Sequence, residues 1–379
     1  MSGPALYSAA QVEQIPWPAT ADGDYARRYL APMLREGTQA SIENVDTRLH
    51  VLVWDDLVMP VTVNDAEYDN CYVVAPYNHY VVYAREELRM LGEQAVLDGV
   101  LAGLGGLLQL GEINKNVQVN NWMLSTNLYP DLTAEQLLAI RELLLRRFPD
   151  HAIVFRSINT VLGDALLEAF KDQGYTPIAS RRLYYMWADR PEFFDKNQRK
   201  IWKKDLKLLE TGPYARAVLT EADLPRVLEV YNQLYLDKYS LHNPRFTLDF
   251  VKRAFQYQTL ELRALRHKET GIIDGAIGFF IRNGAMTTPL FGYDITLPQE
   301  LGLYRMLSML TYLESRERHL LLNQSSGAGN FKRTRGGRPN IEYSVVYDQH
   351  LWPHRRLAWQ GLARAINGVA VPLLEQYKL

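Results

Sequence analysis

The sequence predicts an α/β (α+β) protein with two successive domains, each a mixed, mostly antiparallel twisted sheet flanked by helices. Three observations support this prediction. A chain of 379 residues can form two hydrophobic cores, and 47% hydrophobic with 22% charged residues is typical of globular proteins. Short apolar runs with strand character alternate with runs of helical spacing. This succession of runs occurs once in each half of the chain.

The first half is predicted to form a domain over residues 45–190, preceded by a polar, proline-containing arm at 1–44. Strands are predicted at 50–55, 57–64, 70–75, 117–127, 151–157 and 176–187. Helices are predicted at about 84–110, 133–147 and 163–174. Thr133 is the predicted N-cap of the second of these helices, because a threonine hydroxyl accepts a hydrogen bond from an unpaired helical N–H group.

The second half is predicted to follow a basic linker helix within residues 191–212 and to occupy residues 213–350, with a C-terminal helix in 351–379. Strands are predicted at 214–219, 260–266, 271–282, 285–294 and 320–324. Helices are predicted at 221–236, 247–257 and 302–319. Asn283-Gly284 between two strand-like runs predicts a tight hairpin. In the linker helix, Trp202 and Leu206 are predicted to pack inward while the lysines face solvent.

The composition disfavours several classes of function. Forty-two Lys and Arg residues against 43 Asp and Glu give a net charge of −1, which disfavours a general nucleic-acid-binding protein, and we expect no DNA partner. The single cysteine, Cys71, permits no internal disulfide and is interpreted as a buried structural residue. Of the eight histidines, His350 and His354 alone have helical i,i+4 spacing, and Pro353 between them makes a shared helical face doubtful. We therefore expect no metal.

No membrane span or secretory signal is expected. The longest apolar run, at 95–110, contains Asp98 and is shorter than a bilayer-spanning helix. The first thirty residues lack a basic segment followed by an apolar one. A cytoplasmic protein is the resulting expectation.

Residues 320–348 form the most informative segment. They are predicted to hold an apolar strand, a turn of small residues, a basic crest and a second strand. The basic crest consists of Lys332, Arg333, Arg335 and Arg338, four cations within seven residues. Cations next to a glycine-containing turn suit an anionic group. A dinucleotide-binding fingerprint is rejected, because Lys332 takes the place of the third glycine and the following Gly336-Gly337 and Pro339 leave too little room for a crossover helix.

The order of predicted elements in the second half resembles the GNAT acyltransferase fold, and the first half follows the same order from about residue 50. Residues 166–175, LLEAFKDQGY, precede a strand and are similar to a helix-to-strand corner of GNAT proteins. Two such halves joined by a basic helix resemble the tandem arrangement of Fem-type aminoacyltransferases. The stretch GAGNFKRTRGGRPNIEY is similar to a segment of uncharacterised Fem-like families.

The resemblance implies a site for the pyrophosphate of acyl-CoA at the start of the helix at 302–319. The GNAT pattern there is Gln/Arg-x-x-Gly-x-Gly/Ala, and Gln299 and Gly302 match it, whereas Tyr304 takes the place of the small residue. The implied cofactor-binding residues are Gln299, Gly302, Leu303 and Tyr304, with Arg333 and Arg335 covering the phosphates. An ordinary helix start, with Glu300 near the positive end of the helix dipole, explains the same residues. The equivalent loop of the first half, at 129–133, has no glycine, so that half is interpreted as a degenerate domain that acts as scaffold or acceptor site.

The candidate catalytic residues are Asp294, Lys332 and Tyr343. Asp294 ends the strand at 285–294 and is a candidate base, or the first residue of a turn. The resemblance to Fem-like proteins implies that Lys332 faces the donor, where an ammonium group would stabilise an oxyanion; the alternative is a solvated basic turn. Glu342 and Tyr343 alternate faces of the last strand, so one at most points into a cleft.

These interpretations predict an N-acyltransferase that moves an acyl group from acetyl-CoA or another acyl-CoA to a small-molecule or peptide amine by direct attack. One alternative is a Fem-like aminoacyltransferase that uses aminoacyl-tRNA, for which the basic helix at 195–207 and the basic crest would contact RNA. A second alternative is a non-catalytic binding protein on a GNAT frame.

Overall fold

A computed structural model of the chain describes residues 3–83, 85–86 and 95–370. The chain forms two compact units. Unit 1 comprises Met1–Arg181, His242–Arg245 and Ile341–Leu379, and unit 2 comprises Arg182–Leu241 and Phe246–Asn340. The predicted linker helix therefore lies in unit 2, and the predicted C-terminal helix segment lies in unit 1.

The strands, in chain order, are β1 (Ala5–Ser8), β2 (Arg48–Trp54), β3 (Leu57–Asn64), β4 (Asn116–Val119), β5 (Ala152–Asn159), β6 (Thr176–Met186), β7 (Tyr214–Ala217), β8 (Glu261–His267), β9 (Ile273–Arg282), β10 (Ala285–Tyr293), β11 (Leu321–Asn323) and β12 (Arg338–Tyr347). The α-helices are α1 (Ala21–Glu36), α2 (Ala95–Leu110), α3 (Ala134–Arg147), α4 (Thr160–Asp172), α5 (Lys196–Thr211), α6 (Leu224–Asn232), α7 (Leu248–Tyr257), α8 (Leu303–Glu317), α9 (Gly329–Arg333) and α10 (Pro353–Ala365). Two π-helical turns that bear on the sites are Asn78–Tyr83 and Gln233–Tyr239.

Unit 1 is built on a mixed sheet. Strands β1 to β4 pair antiparallel in chain order, β4 and β5 pair parallel, and β5 pairs antiparallel with β12. One core joins β3, β4 and β5 to α3 and α4 through Leu137, Ile140 and Phe170, all of them fully buried. A second core places Trp359 of α10 against Val154 and Ile178. Strand β5 is thus covered on both faces, and all eight of its residues are buried.

Unit 2 repeats this type of sheet. Strands β7 to β10 pair antiparallel in chain order, β10 pairs parallel with β11, and β11 pairs antiparallel with the end of β6. Helix α8 buries Leu303, Met306, Leu307 and Leu310 against this sheet. Each unit therefore has a mixed, mostly antiparallel sheet flanked by helices, and the predicted fold class is confirmed.

Two local predictions are confirmed in detail. Thr133 caps α3: its hydroxyl accepts a hydrogen bond from the Gln136 N–H group, and the Gln136 side chain accepts one from the Thr133 N–H group. Asn283 and Gly284 have φ angles of 50° and 71°, as a two-residue hairpin turn between β9 and β10 requires. Both features depend on neighbouring residues alone.

Three local predictions differ from the structure. The predicted strand at 70–75 is a series of turns, because the Asn70 side chain accepts hydrogen bonds from the Asp46 and Cys71 N–H groups and holds the backbone locally. The predicted strand at 117–127 ends at Val119, since Asn120 is left-handed with a φ angle of 55°. The predicted arm at 1–44 contains β1 and the sixteen-residue helix α1.

Within the predicted helices at 84–110 and 351–379, residues 84, 87–94 and 371–379 lie outside the described residues.

Candidate functional site

Strands β10 and β11 of unit 2 separate after a short stretch of parallel pairing. Ala285 pairs with Leu321 and Met286 with Leu322, and β11 ends one residue later. The chain then follows β6, because the Gln324 N–H group donates to the Tyr184 carbonyl oxygen at 2.8 Å. Beyond Met286, β9 is the remaining strand neighbour of β10 in the part of the chain that the structure describes. One edge of β10 therefore has no strand partner over most of its length.

A β-bulge lies on this part of β10. The register with β9 shifts between Thr287 and Leu290, and Pro289 within the shift has no N–H group to donate. Thr287 is fully buried, and its hydroxyl has no hydrogen-bond partner in the described residues. A buried hydroxyl without a partner is costly unless a bound group completes it. Sequence analysis missed Thr287; the only signal was proline inside a strand-like run.

The start of α8 follows this strand in the chain. Gln299–Leu301 is a 3₁₀ turn, and Gly302 caps the helix with a φ angle of 72°. A Cβ atom at Gly302 would lie 2.7 Å from Leu208 Cδ2. A side chain is therefore unfavourable at this position, both because of this close contact and because of the positive φ angle. The Gly302 carbonyl oxygen accepts the first helical hydrogen bond from Met306. The preceding N–H groups, those of Leu303 to Arg305, have no intrahelical acceptor and give this end a partial positive charge.

Tyr304 is held in an aromatic cluster. Its ring centroid lies 4.6 Å from that of Phe331, 5.4 Å from that of Phe291 and 6.2 Å from that of Tyr293. Burial raises the pKa of Tyr304 well above its ordinary value, so the phenol keeps its proton at neutral pH. Tyr304, which stands where the GNAT pattern has a small residue, thus packs against Phe331, the chain neighbour of Lys332.

Asp294 is tied into the turn after β10. Its carboxylate accepts hydrogen bonds from the Thr296 N–H group at 2.9 Å and hydroxyl at 2.6 Å, and it forms an ion pair with Arg226 at 2.6 Å. Partial burial raises the pKa of Asp294, but these hydrogen bonds and the positive charge of Arg226 outweigh it, and the net pKa is lowered. A carboxylate of lowered pKa is a weak base, and this one is well suited to hold the turn. Sequence analysis missed Arg226, which also contacts Asp274 at 3.5 Å.

Lys332 lies on α9 with 6% of its surface exposed. Its Nζ donates hydrogen bonds to the carbonyl oxygens of Gln324, Ser325 and Ser326 at 2.6, 3.2 and 2.6 Å. These three carbonyls belong to the turn that carries the chain away from β10. The ammonium group therefore fixes the shape of that turn, and the reading of this lysine as a solvated side chain is wrong.

Arg335 is buried as well and belongs to an ion-pair network. Its Nε donates to Asp205 of α5 at 2.7 Å, and Arg305 of α8 contacts the other oxygen of Asp205 at 2.6 Å. The guanidinium also lies 3.5 Å from the centroid of the Phe331 ring. Asp205 occupies the inward face of α5, three residues after Trp202 and one before Leu206. An acid at that position of an amphipathic helix was the sequence signal for this network, and sequence analysis missed it.

The other two cations of the basic crest are less buried. Arg333 is half-buried and donates a hydrogen bond to the Tyr184 hydroxyl at 3.0 Å. Arg338 is exposed, and its guanidinium lies 4.1 Å from the centroid of the Phe193 ring. The crest thus contains two buried cations, Lys332 and Arg335, the half-buried Arg333 between them, and the exposed Arg338.

Tyr343 belongs to unit 1, whereas Asp294 and Lys332 belong to unit 2. It pairs with Ile158 of β5 and packs against the core of α3 and α4. Its neighbour Glu342 is 2% exposed and forms an ion pair with Arg181 at 2.9 Å. The structure thus assigns Tyr343 to a hydrophobic core and Glu342 to a buried polar cluster.

Among the described residues, no group of three His, Cys, Asp or Glu is placed to hold a metal ion, and no helix is long and apolar enough to cross a membrane.

No protein-family model and no curated protein matches the chain. Solved structures to which it is similar include a tandem GNAT protein from the clavulanic acid biosynthesis pathway, at 10% identity over 91% of this chain and 98% of the other, with a TM-score of 0.38. Others are FemX, at 10% identity over 57% and 78% with a TM-score of 0.45, and L-PGS from Bacillus licheniformis, at 16% identity over 60% and 77% with a TM-score of 0.43. The resemblance to GNAT and Fem-type proteins is thus found again among solved structures.

Proposed function

We propose that the chain is an acyltransferase whose unit 2 binds an activated acyl donor along the open edge of β10, with the phosphates of the donor at the start of α8. The separation of β10 from β11 is the observation that carries this proposal. An extended donor arm that contains amide groups can pair with an unpartnered strand edge through main-chain hydrogen bonds. The N–H groups at the start of α8 and the positive helix end suit an anion.

With a thioester donor such as acyl-CoA, the amine nitrogen attacks the acyl carbonyl carbon and a tetrahedral oxyanion forms. The oxyanion then collapses and the thiolate of the donor leaves. The ammonium proton passes to a base or to solvent, and the thiolate takes up a proton. Backbone N–H groups on the open edge of β10 and the Thr287 hydroxyl are the proposed donors to the oxyanion. Lys332 and Asp294 are assigned as positioning residues, because each holds a turn through its own hydrogen bonds.

Acyl-CoA is the proposed donor. Lys332 and Arg335 are 6% and 8% exposed and are used inside unit 2, so the basic crest offers little surface to an RNA backbone. Arg305 at the start of α8 keeps 40% of its side chain exposed beside its ion pair with Asp205, and this exposed part suits a phosphate group.

One observation favours aminoacyl-tRNA as the donor instead. Six cations of α5 are exposed on its outer face, and such a row suits an RNA backbone. They are Lys196, Arg199, Lys200, Lys203, Lys204 and Lys207.

Thermal unfolding of the full chain with acetyl-CoA, with CoA and with salt-matched buffer tests the proposal. A donor at about a hundred times its Kd adds about 2.7 kcal/mol to the free energy of unfolding, so a saturable rise in Tm is expected. Gly302→Val should remove this rise, whereas Gly271→Val, at a glycine of equal φ angle in open space, should keep it. A rise with charged tRNA alone would establish the second donor, and no rise with either would refute acyl transfer at this site.

A further inference from the structure

Helix α5 of unit 2 carries a row of exposed cations on its outer face. The cations recur three or four residues apart, so they all lie on one side of the helix. They are Lys196, Arg199, Lys200, Lys203, Lys204 and Lys207. At a rise of about 1.5 Å per residue, this α5 row is about 16 Å long.

The α5 row has no ion-pair partners in the part of unit 2 that the structure describes. Of the two acids in α5, Asp205 is buried and pairs with Arg305 and Arg335, and Glu210 lies beyond the end of the row. Like charges three or four residues apart on a helix repel one another and weaken it. The chain thus keeps a row of cations that lowers the stability of its own helix.

The α5 row ends beside the proposed phosphate site of unit 2. The Trp202 ring stacks on that of Tyr312, near the end of α8, with 5.3 Å between the ring centroids. Leu208 lies against Gly302, at the start of α8, so the two helices are antiparallel. Lys207, the last cation of the row, precedes Leu208 in the chain. The row therefore leads along α5 to the end of α8 at which the phosphates of the donor are proposed to bind.

The length of the α5 row fits a partner larger than CoA. The phosphates of CoA form a compact group, for which Arg305 and the N–H groups at the start of α8 are sufficient. A row about 16 Å long suits an elongated polyanion whose charges are spaced as the cations are. Acidic side chains on one face of a helix have this spacing, because they recur every three or four residues at about 5–6 Å.

Two other polyanions fit α5 less well. The exposed residues of α5 include no apolar side chain that could enter a bilayer, as helices that lie on membranes require. They also include no aromatic ring on which a nucleic-acid base could stack, because Trp202 is half-buried and donates to the Arg335 carbonyl oxygen at 2.9 Å. Five of the six cations are lysines, which lack the planar fork that arginine offers to nucleic-acid phosphates.

We propose that the α5 row docks an acidic helix of a carrier protein that bears the acyl group as a thioester on a flexible arm. This inference rests on the proposed function, because the arm enters the same open edge of β10 that receives acyl-CoA. The amine takes the acyl group from this donor, and the thiolate of the arm leaves and takes up a proton. Attraction between the row and the acidic helix also speeds the encounter of the two proteins.

The test measures the binding of the full chain to acetyl-loaded acyl carrier protein that bears a fluorescent label, by fluorescence anisotropy. We expect saturable binding that weakens as the sodium chloride concentration rises. The double variant Lys200→Glu, Lys204→Glu should weaken the affinity about tenfold or more. The control variant Arg216→Glu, Lys252→Glu makes the same change of charge at exposed positions of β7 and α7, and its affinity should change about twofold at most.

The stability of the row variant separates a lost contact from a damaged fold. Glutamates at positions 200 and 204 place opposite charges within the row, so the Tm of this variant should be no lower than that of the wild type. Its rise in Tm with acetyl-CoA should also persist. A solvated row without a partner would show the same Tm and no loss of affinity for the carrier protein.

The other outcomes overturn the proposal. Equal weakening in both double variants would refute docking at the α5 row. Row-dependent binding of tRNA, or of phosphatidylglycerol vesicles, without binding of the carrier protein would refute the choice of partner, and binding of none of the three would refute docking altogether.

Carrier protein that lacks the arm separates this inference from the proposed function. The acidic helix is still present, so this form should bind through the α5 row. If it does and acetyl-CoA gives no rise in Tm, the donor site fails and the docking surface stands. If acetyl-CoA raises the Tm and neither form of the carrier protein binds, the donor site stands and the docking surface fails.

Discussion

Arg335 and Asp205, which are 130 positions apart in the chain, form a buried ion pair with 2.7 Å between Nε and Oδ2. Asp205 also holds Arg305 at the start of α8, so one carboxylate connects α5, α8 and the segment after α9. This relationship explains why a surface-like run of cations is partly internal.

Asp205→Asn should be strongly destabilising. It leaves Arg305 and Arg335 without their carboxylate, and breaking a buried pair costs about 3–5 kcal/mol. Urea unfolding measures the loss, with Glu210→Gln at an exposed position of α5 as the matched control. A loss similar to that of the control would show that the network does not contribute to stability.

Gly302→Ala should destabilise unit 2 more than Gly271→Ala. Both glycines have a φ angle of 72°, so both variants incur the same backbone strain of about 1 kcal/mol. The added methyl group at position 302 also meets Leu208 at 2.7 Å, whereas position 271 has nothing within 4 Å. The difference between the free energies of unfolding of the two variants, measured by chemical denaturation, gives the cost of the contact with Leu208. Equal losses of stability would mean that Leu208 moves aside at no cost.

Lys332→Met should lower the free energy of unfolding by a few kcal/mol, so the variant should unfold at a lower denaturant concentration than the wild type. The change leaves the carbonyl oxygens of Gln324, Ser325 and Ser326 without their donor, at about 1–3 kcal/mol for each group that stays buried. Arg338→Met removes an exposed cation of the same crest and serves as the control. If the two variants have the same stability, the ammonium group does not brace the turn.

Protonation of His79 should oppose folding at mildly acidic pH. Burial lowers its pKa in the folded chain below the ordinary value of 6.5, so the unfolded chain binds the proton first. The stabilising contribution is complete above pH 6.5 and is lost as pH falls from there towards the folded pKa. The free energy of unfolding of His79→Gln should therefore depend less on pH between 7 and 5 than that of the wild type, whereas His354→Gln, at an exposed histidine, should match the wild type. Parallel curves for all three proteins would contradict this assignment.

The features that sequence analysis predicted correctly are those that neighbouring residues determine. The Thr133 cap, the Asn283-Gly284 hairpin and the start of α8 at Gly302 each depend on a few adjacent positions. The turns at 70–75 were mistaken for a strand, because the hydrogen bond from the Asp46 N–H group to the Asn70 side chain is invisible in an apolar run.

The candidate site was harder to predict because its partners are distant in sequence. The sequence showed four cations in the basic crest, but the acid that buries Arg335 lies on α5. The separation of β10 from β11 depends on the pairing of the following residues with Tyr184, and no pattern within 285–324 indicates it.

Hydrogen exchange of the full chain, followed by mass spectrometry with and without saturating acetyl-CoA, tests the central claim most directly. If the donor pairs with the open edge of β10 and its phosphates contact the start of α8, exchange should slow in peptides that cover residues 287–293 and 302–306. Peptides from β7, at the far edge of the unit 2 sheet, should exchange at unchanged rates. Saturable binding with no change over 287–293 would contradict the account, because the donor would then lie elsewhere.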